Sequence, residues 1–448
     1  MDKSINTIED YEKFCKGKCS AENRSISKKL LELYSVNYKD PGNFIYRYNK
    51  KKISNYHKKN VWDYTALLKL YIKNYNLEVI ICTEMNISSF PIYPKLKRIN
   101  IGNNKLTTFP MQPSLTSFYA DYNNLTTFPV QPNLVEYIAV SNKLTTFPVQ
   151  PKMKNFVAAT NKLTSFPVQP KLEIFYGSGN LLTKFPVQPK LIIFYGNNNK
   201  LASFPVQPEL KIFSGYGNKL TTFPVQPSLK EFHGSNNKLI SFPVQPSLTF
   251  FDGENNNLTS FPVQPSLIRF YGSNNKLTSF PVQPKMELFK ADNNNLTSFP
   301  VQPNLAQFHG NNNNLTSFPV QPKMWFFKAD NNKLSSFPVQ PKLVEFHGSN
   351  NKLISFPVQP NMVYFTGNNN KLTSFPVQPK MFHFEGKNNK LVVFPVQPNL
   401  KEYTGDKPLS SYKSDKLLKI LAVGTGLLGT GIIASLAIKK INRKTSKK

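Results

Sequence analysis

The sequence predicts one elongated solenoid, with a parallel β-sheet on its concave side and an extended, polyproline-like return on its convex side. Three observations carry this. The pair Phe-Pro recurs seventeen times from Phe90 to Phe394, always 19 residues apart and without an insertion. After each such Phe a Leu or Met lies six residues on, an aromatic nine on in all but the first, where Ile99 stands, and usually a Gly or Ala eleven on, as Leu115, Phe118 and Ala120 follow Phe109. That alternation suits a strand with one buried face. The stretch TxFPVQPx then carries two prolines, which fix φ and remove N–H donors, so no helix can form there.

Each position of the unit has a physical reading. An Asn fourteen residues after Phe recurs in sixteen consecutive units, Asn104 to Asn389. Its amide can donate and accept between neighbouring turns, which predicts a buried, internally satisfied ladder. Two repeat positions hold 34 of the 36 prolines, leaving only Pro41 and Pro408 outside the pattern, so proline here is architectural. A large aromatic such as Phe175 or Phe270 is followed two residues later by Gly177 or Gly272, which keeps the volume of a layer constant. The Gln three residues after Phe, Gln112 to Gln397, is polar between prolines and reads as exposed.

Eighteen units fill residues 77–409, and the first and last are degenerate. Leu77, Ile80, Cys82 and Ile87 fit the pattern but Met85 replaces the Asn; at the far end Leu400, Tyr403 and Gly405 fit but Pro408 replaces it. Such units are expected to cap the stack. Cys82 falls on a core position and reads as a structural thiol.

The flanks differ in character. Residues 1–76 carry Leu and Tyr at helical spacing over Ser27 to Tyr38 and Trp62 to Tyr75, which predicts a small helical cap over the first strand edge. Residues 410–419 form a basic linker. Ile420 to Ile438 is a 19-residue uncharged run, long enough for a transmembrane helix, and a basic tail over 439–448 follows. The N-terminus has alternating charge and no apolar stretch of the secretory kind. Together these predict a single-pass tail anchor with the repeats on the cytosolic side, although lysines on both sides of the run leave its direction open. Ala422, Gly426, Thr430 and Ala434 form a small-residue stripe that can support self-association through the helix.

The net charge is +31, spread as +6 over 1–90, +17 over 91–405 and +8 over 406–448. Such a field favours acidic partners, while an AT-rich coding bias writes Lys and Asn without any partner. The three cysteines are too few for a disulfide framework, and no histidine lies near Cys15 and Cys19 to complete a zinc site. Neither metal nor cofactor is expected.

Written out, the unit is LxxLxLxxNxL followed by LxxFPxxP. It resembles the leucine-rich-repeat superfamily, covering about three quarters of the chain. The continuation is similar to the LxxLPxLP of short-repeat bacterial effector proteins, and to repeat proteins of large DNA viruses, in which case the membrane would be a host's. Some such effectors add a ubiquitin-ligase domain built on a catalytic Cys, but no Cys follows Cys82. What the resemblance implies is recognition of a macromolecule on the concave face, without naming which.

That face is where the repeats cease to be alike. The two strand positions flanking the central aromatic predict a partner-binding surface with Tyr119, Ile174, Tyr176, Ile193, Tyr195, Ile212, His233, Phe250, Tyr271, Phe326 and Tyr364 as its anchors. Drift of exposed positions is the alternative. Four of the five histidines, His233, His309, His347 and His383, share this face, but they stand two or more repeats apart, too far to share a zinc ion. Glu231 with His233 and Glu345 with His347 have acid–base geometry but no nucleophile or pocket beside them, so an enzyme is not expected. A Lys four residues before Phe, as in Lys105, Lys200 and Lys371, forms a column that supports the alternative function, an anion-binding module for acidic lipid surfaces or nucleic acid.

Overall fold

A computed structural model describes residues 78–406, except residue 393. The helical cap expected over 1–76, the linker, the apolar run 420–438 and the basic tail lie outside the described residues. Within them no helix is long and apolar enough to cross a membrane.

The described chain is a stack of turns, each contributing one three-residue strand. There are eighteen, from β1 (Val79–Ile81) and β2 (Arg98–Asn100) at 19-residue steps to β18 (Glu402–Thr404). Every neighbouring pair is parallel, and the register is always 19, as in Phe251 opposite Phe270. The central residue of each strand points inward and the two flanking residues face outward. The expected parallel sheet is therefore present at the expected positions.

The core is two interleaved columns of rings. The central strand aromatics stack on one another, Phe251 on Phe270 at 5.3 Å and 9°. The Phe-Pro phenylalanines form the second column, Phe242 to Phe261 at 5.9 Å, and meet the first edge-on, Phe242 against Phe251 at 4.8 Å and 66°. Edge-to-face and offset contacts both suit the ring quadrupole. Each strand ring folds over the residue two positions later: the rings of Phe175 and Phe270 occupy the space that a Cβ on Gly177 or Gly272 would need.

The Asn ladder closes the loop after each strand. Asn256 Nδ2 donates to the carbonyls of Gly234 at 2.9 Å, Gly253 at 3.1 Å and Glu254 at 3.2 Å, and its Oδ1 accepts the N–H of Leu239 at 2.9 Å. The residue before the Asn takes a left-handed φ between 52° and 57° wherever it carries a side chain in the Asn-bearing turns, and a φ of 67° at Gly179 and Gly217. Asn and Gly tolerate that region best, which accounts for the Asn-Asn doublets such as Asn255-Asn256.

The Gln positions correct the expectation of exposure. Gln112 to Gln378 are fully buried and Gln397 nearly so. Gln245 Oε1 accepts the N–H of Gln226 at 2.7 Å, its own N–H donates to Gln264 Oε1 at 2.7 Å, and its Nε2 donates to the carbonyl of Pro224 at 2.9 Å. The cause is the proline-bound backbone, whose carbonyls and remaining N–H groups find no partner in their own turn. A second ladder therefore runs beneath the return segment. Beyond each Gln a turn closes, Leu248 N–H to Gln245 C=O at 3.1 Å, with Pro in the second position that such turns favour.

The end turns cap both ladders. Asn104 Oδ1 accepts from Met85 and Ile87, and Gln112 Oε1 accepts from Tyr93. At the other end the Asn389 N–H donates to Asp406 Oδ2 at 3.1 Å. Cys82 is buried, and burial pushes its thiol far up, which fits a structural role.

Tyr137 replaces Phe in the strand column, and its buried hydroxyl has no hydrogen-bond partner. Tyr137→Phe is expected to raise stability by about 1 kcal/mol, the order of cost of an unsatisfied buried hydroxyl, read as a higher urea midpoint. Gln245→Leu keeps the volume but orphans the Gln226 N–H and the Pro224 carbonyl; at about 1–3 kcal/mol for each buried group it should lower the same midpoint markedly. An unchanged midpoint would remove the ladder from the account.

Candidate interaction surface

The outward strand positions form the surface on which the predicted residues lie, and the structure divides them into separate groups. Ile174 and Tyr176 in β6 (Ile174–Tyr176), Ile193 and Tyr195 in β7 (Ile193–Tyr195), and Ile212 in β8 (Ile212–Ser214) are brought together by register. The Tyr176 and Tyr195 rings stack at 4.6 Å and 5°, and Tyr176 is 36% exposed. Partial burial, with Tyr176 and Glu231 beside it, raises the Tyr195 phenol above its ordinary pKa. Ser214, next in the tyrosine column, is buried and donates to Asn197 Oδ1 at 2.8 Å. The result is a contiguous patch of three isoleucines and two tyrosines.

The other predicted residues fall elsewhere on the same face. His233, Phe250 and Tyr271 form a run of rings, His233 to Phe250 at 4.8 Å and Phe250 to Tyr271 at 5.4 Å. Phe326 lies between His309 at 4.8 Å and His347 at 5.7 Å. Tyr364 contacts His383 at 6.2 Å and Phe382 at 6.4 Å. Tyr119 stands apart near the first turns, under the Arg98 guanidinium at 4.9 Å and donating its hydroxyl to Glu136.

Three of the four histidines on this face pair with carboxylates rather than with each other. His347 Nε2 lies 2.6 Å from Glu345, His383 Nδ1 lies 2.9 Å from Glu402, and His233 Nε2 lies 3.6 Å from Glu231. Burial lowers the pKa of His309, aided by Lys328, Lys290 and His347 and opposed by Asp292. Among the described residues no three His, Cys, Asp or Glu side chains come together in a way that could hold a metal.

Two exposed features lie outside the sequence-based expectations. With Gln buried, the exposed position of the return segment that does not vary is the Val two residues after Phe. From Val130 to Val396 the valines there are about half exposed, 46–50%. The contrast between a uniform and a variable surface therefore rests on Val, not Gln. The second is Trp325, 40% exposed immediately before β14 (Phe326–Lys328), in a shallow groove of about 740 Å³. Its signal is in the sequence: Trp325 is the only Trp in the repeats, in a column that otherwise reads Lys, Thr, Glu, Val or Ile in most turns.

The column of Lys105, Lys200, Lys371 and their equivalents is exposed, and none of these lysines pairs with a carboxylate among the described residues.

No family model matches the chain, and no curated protein sequence matches it. Solved structures do. YopM from Yersinia enterocolitica WA-314 is 21% identical with a TM-score of 0.50, over 80% of this chain and all of that one. A structure of YopM from Yersinia pestis, described as a leucine-rich effector protein, is 26% identical with a TM-score of 0.51, over 63% of this chain and 86% of that one. Strand spacing, Asn ladder and these likenesses agree: the chain has the leucine-rich-repeat fold, in a 19-residue form similar to that of a bacterial effector.

Proposed function

We propose that the chain is a non-enzymatic leucine-rich-repeat scaffold that binds a protein partner on the open face of its sheet and is tethered to a membrane by residues 420–438. The observation that carries the binding reading is the patch of Ile174, Tyr176, Ile193, Tyr195 and Ile212. Partly exposed aromatic and aliphatic side chains stand side by side there on a rigid backbone. Rigid aromatic anchors give contact area at small entropic cost. The fold shared with a leucine-rich effector supports a recognition role by analogy.

The tether rests on the 19-residue uncharged run, which is long enough to span the hydrocarbon. In this reading the repeats face the cytosol, and the stripe of Ala422, Gly426, Thr430 and Ala434 lets two copies associate in the bilayer. A second reading, favoured by the unpaired lysine column and the +17 charge of residues 91–405, is an anion-binding module for acidic lipid or nucleic acid.

Crosslinking on membranes followed by a pull-down tests the first reading. The variant Tyr176→Ala with Tyr195→Ala should reduce partner recovery about tenfold or more, the loss expected for anchor residues, and unchanged recovery would refute the mapped surface. Deleting 420–438 should move the chain from the carbonate-resistant to the soluble fraction; a chain that fractionates alike with and without the run would refute the tether. Binding that falls steeply between low and high salt, and is indifferent to the tyrosine changes, would favour the anion module.

A further inference from the structure

We infer that the groove beside Trp325 is a docking site for an extended acidic segment of a protein partner. This rests on the reading of the chain as a protein-binding scaffold, but it uses a different surface from the Tyr176 and Tyr195 patch.

The groove runs along the edge of the sheet where successive turns enter their strands, from Glu287 to Lys380. Its apolar part comes from the position just before each strand, where Ala306, Trp325, Val344 and Val363 stand in successive turns. Two residues earlier in their turns lie the exposed lysines Lys323, Lys342 and Lys380. An exposed Trp beside aliphatic side chains is the composition of a binding anchor. The Trp325 ring stands edge-on to Phe326 at 5.8 Å and 69°, which limits its motion.

Charge identifies the occupant. Lys323 Nζ donates to Asn304 Oδ1 at 2.6 Å and Lys380 Nζ donates to Asn361 Oδ1 at 2.7 Å. Each of those amides is itself anchored, Asn304 to the Pro284 carbonyl at 2.7 Å and Asn361 to the Pro341 carbonyl at 2.9 Å. The ammonium groups are thus held in place without being neutralised. By contrast Lys190, in the same column but nearer the first turns, is paired with Glu209 at 2.8 Å. None of the three groove lysines has an ion pair among the described residues, and the one carboxylate in the groove, Glu287, lies in the turn at its far end.

Spacing selects an extended peptide. Successive turns beside the groove are about 5.3 Å apart, measured between the Phe327, Phe346 and Phe365 rings of the strands it adjoins. Lys323 and Lys342 stand in successive turns and Lys380 two turns further on, with Asn361 between them, a line of three turns that an extended chain, rising about 3.3 Å per residue, crosses in about five residues with its acidic side chains facing the lysines. The backbone at the strand entrances is already used, since Val344 and Glu345 both donate to the Trp325 carbonyl. Recognition must therefore come from side chains. Nucleic acid fits less well, because stacking platforms use an aromatic for successive bases and this groove offers one ring among aliphatic ones. Its shallowness likewise suits a segment of protein better than a small molecule, which needs enclosure.

The test uses the full chain and two pools of fluorescein-labelled peptides, one alternating acidic with apolar residues and one carrying Asn and Gln in place of the acids. Fluorescence anisotropy should show the acidic pool binding about tenfold or more tightly than the amide pool, weakening with salt as exposed ion pairs do. Trp325→Ala and the triple change Lys323→Ser, Lys342→Ser, Lys380→Ser should each lose that preference, and the corresponding triple change to Arg should keep it. Equal binding of the two pools, or a preference that survives both variants, would overturn the assignment, as would displacement of the acidic pool by single-stranded oligothymidylate in a Trp325-dependent manner. The Tyr176→Ala, Tyr195→Ala variant should bind the acidic pool normally, so failure of the sheet-face patch and failure of this groove give different results.

Discussion

Every turn of this solenoid faces the same constraint: it must reverse direction twice within 19 residues, with two prolines and no helix. Its backbone groups cannot satisfy one another locally. The solution is a pair of side-chain ladders, in which Asn closes the loop after the strand and Gln closes the return segment. Each amide both donates to its own or the preceding turn and accepts from that preceding turn, so no turn is complete without the next. The stacked rings then fill the space that the ladders define.

This division of labour explains which parts of the structure were legible in the sequence. The strand positions, the ring and glycine pairing and the Asn ladder all follow from period and residue type, because alternation and amide chemistry leave few other arrangements. Gln245 departs from expectation because a polar residue between prolines ordinarily faces water. Here its amide reaches the Pro224 carbonyl and the Gln226 N–H, which the adjacent Val244 cannot, so Gln turns inward and Val244 outward. A signal existed in the LxxLPxLP pattern, where an apolar residue holds the position that Gln occupies here. The left-handed residue before each Asn was hidden for a different reason: Tyr122, Ser141 and Thr160 occupy it without the usual Asn or Gly.

The candidate surfaces were legible in part. Register places Ile174, Ile193 and Ile212 side by side as their spacing implies, and Tyr176 stacks on Tyr195 for the same reason. The remaining anchors fall into separate runs because intervening strands carry Ser214 or Lys290 at the equivalent position. The groove at Trp325 was legible only as one odd residue, a Trp in a column that mostly reads Lys, Thr, Glu, Val or Ile, because that column lies outside the strands and its period does not report which residues cluster. A rigid scaffold with interchangeable outward positions can hold several such surfaces at once, and its interior does not change with them.

The ladder account is tested most directly by amide hydrogen exchange across the repeats. It predicts that the N–H groups of Gln226 and Leu239, which lie in irregular segments but donate to Gln245 and Asn256, exchange as slowly as the N–H groups of the neighbouring strand residues. Exchange of those amides at the rate of open loops, while the strands remain protected, would contradict it.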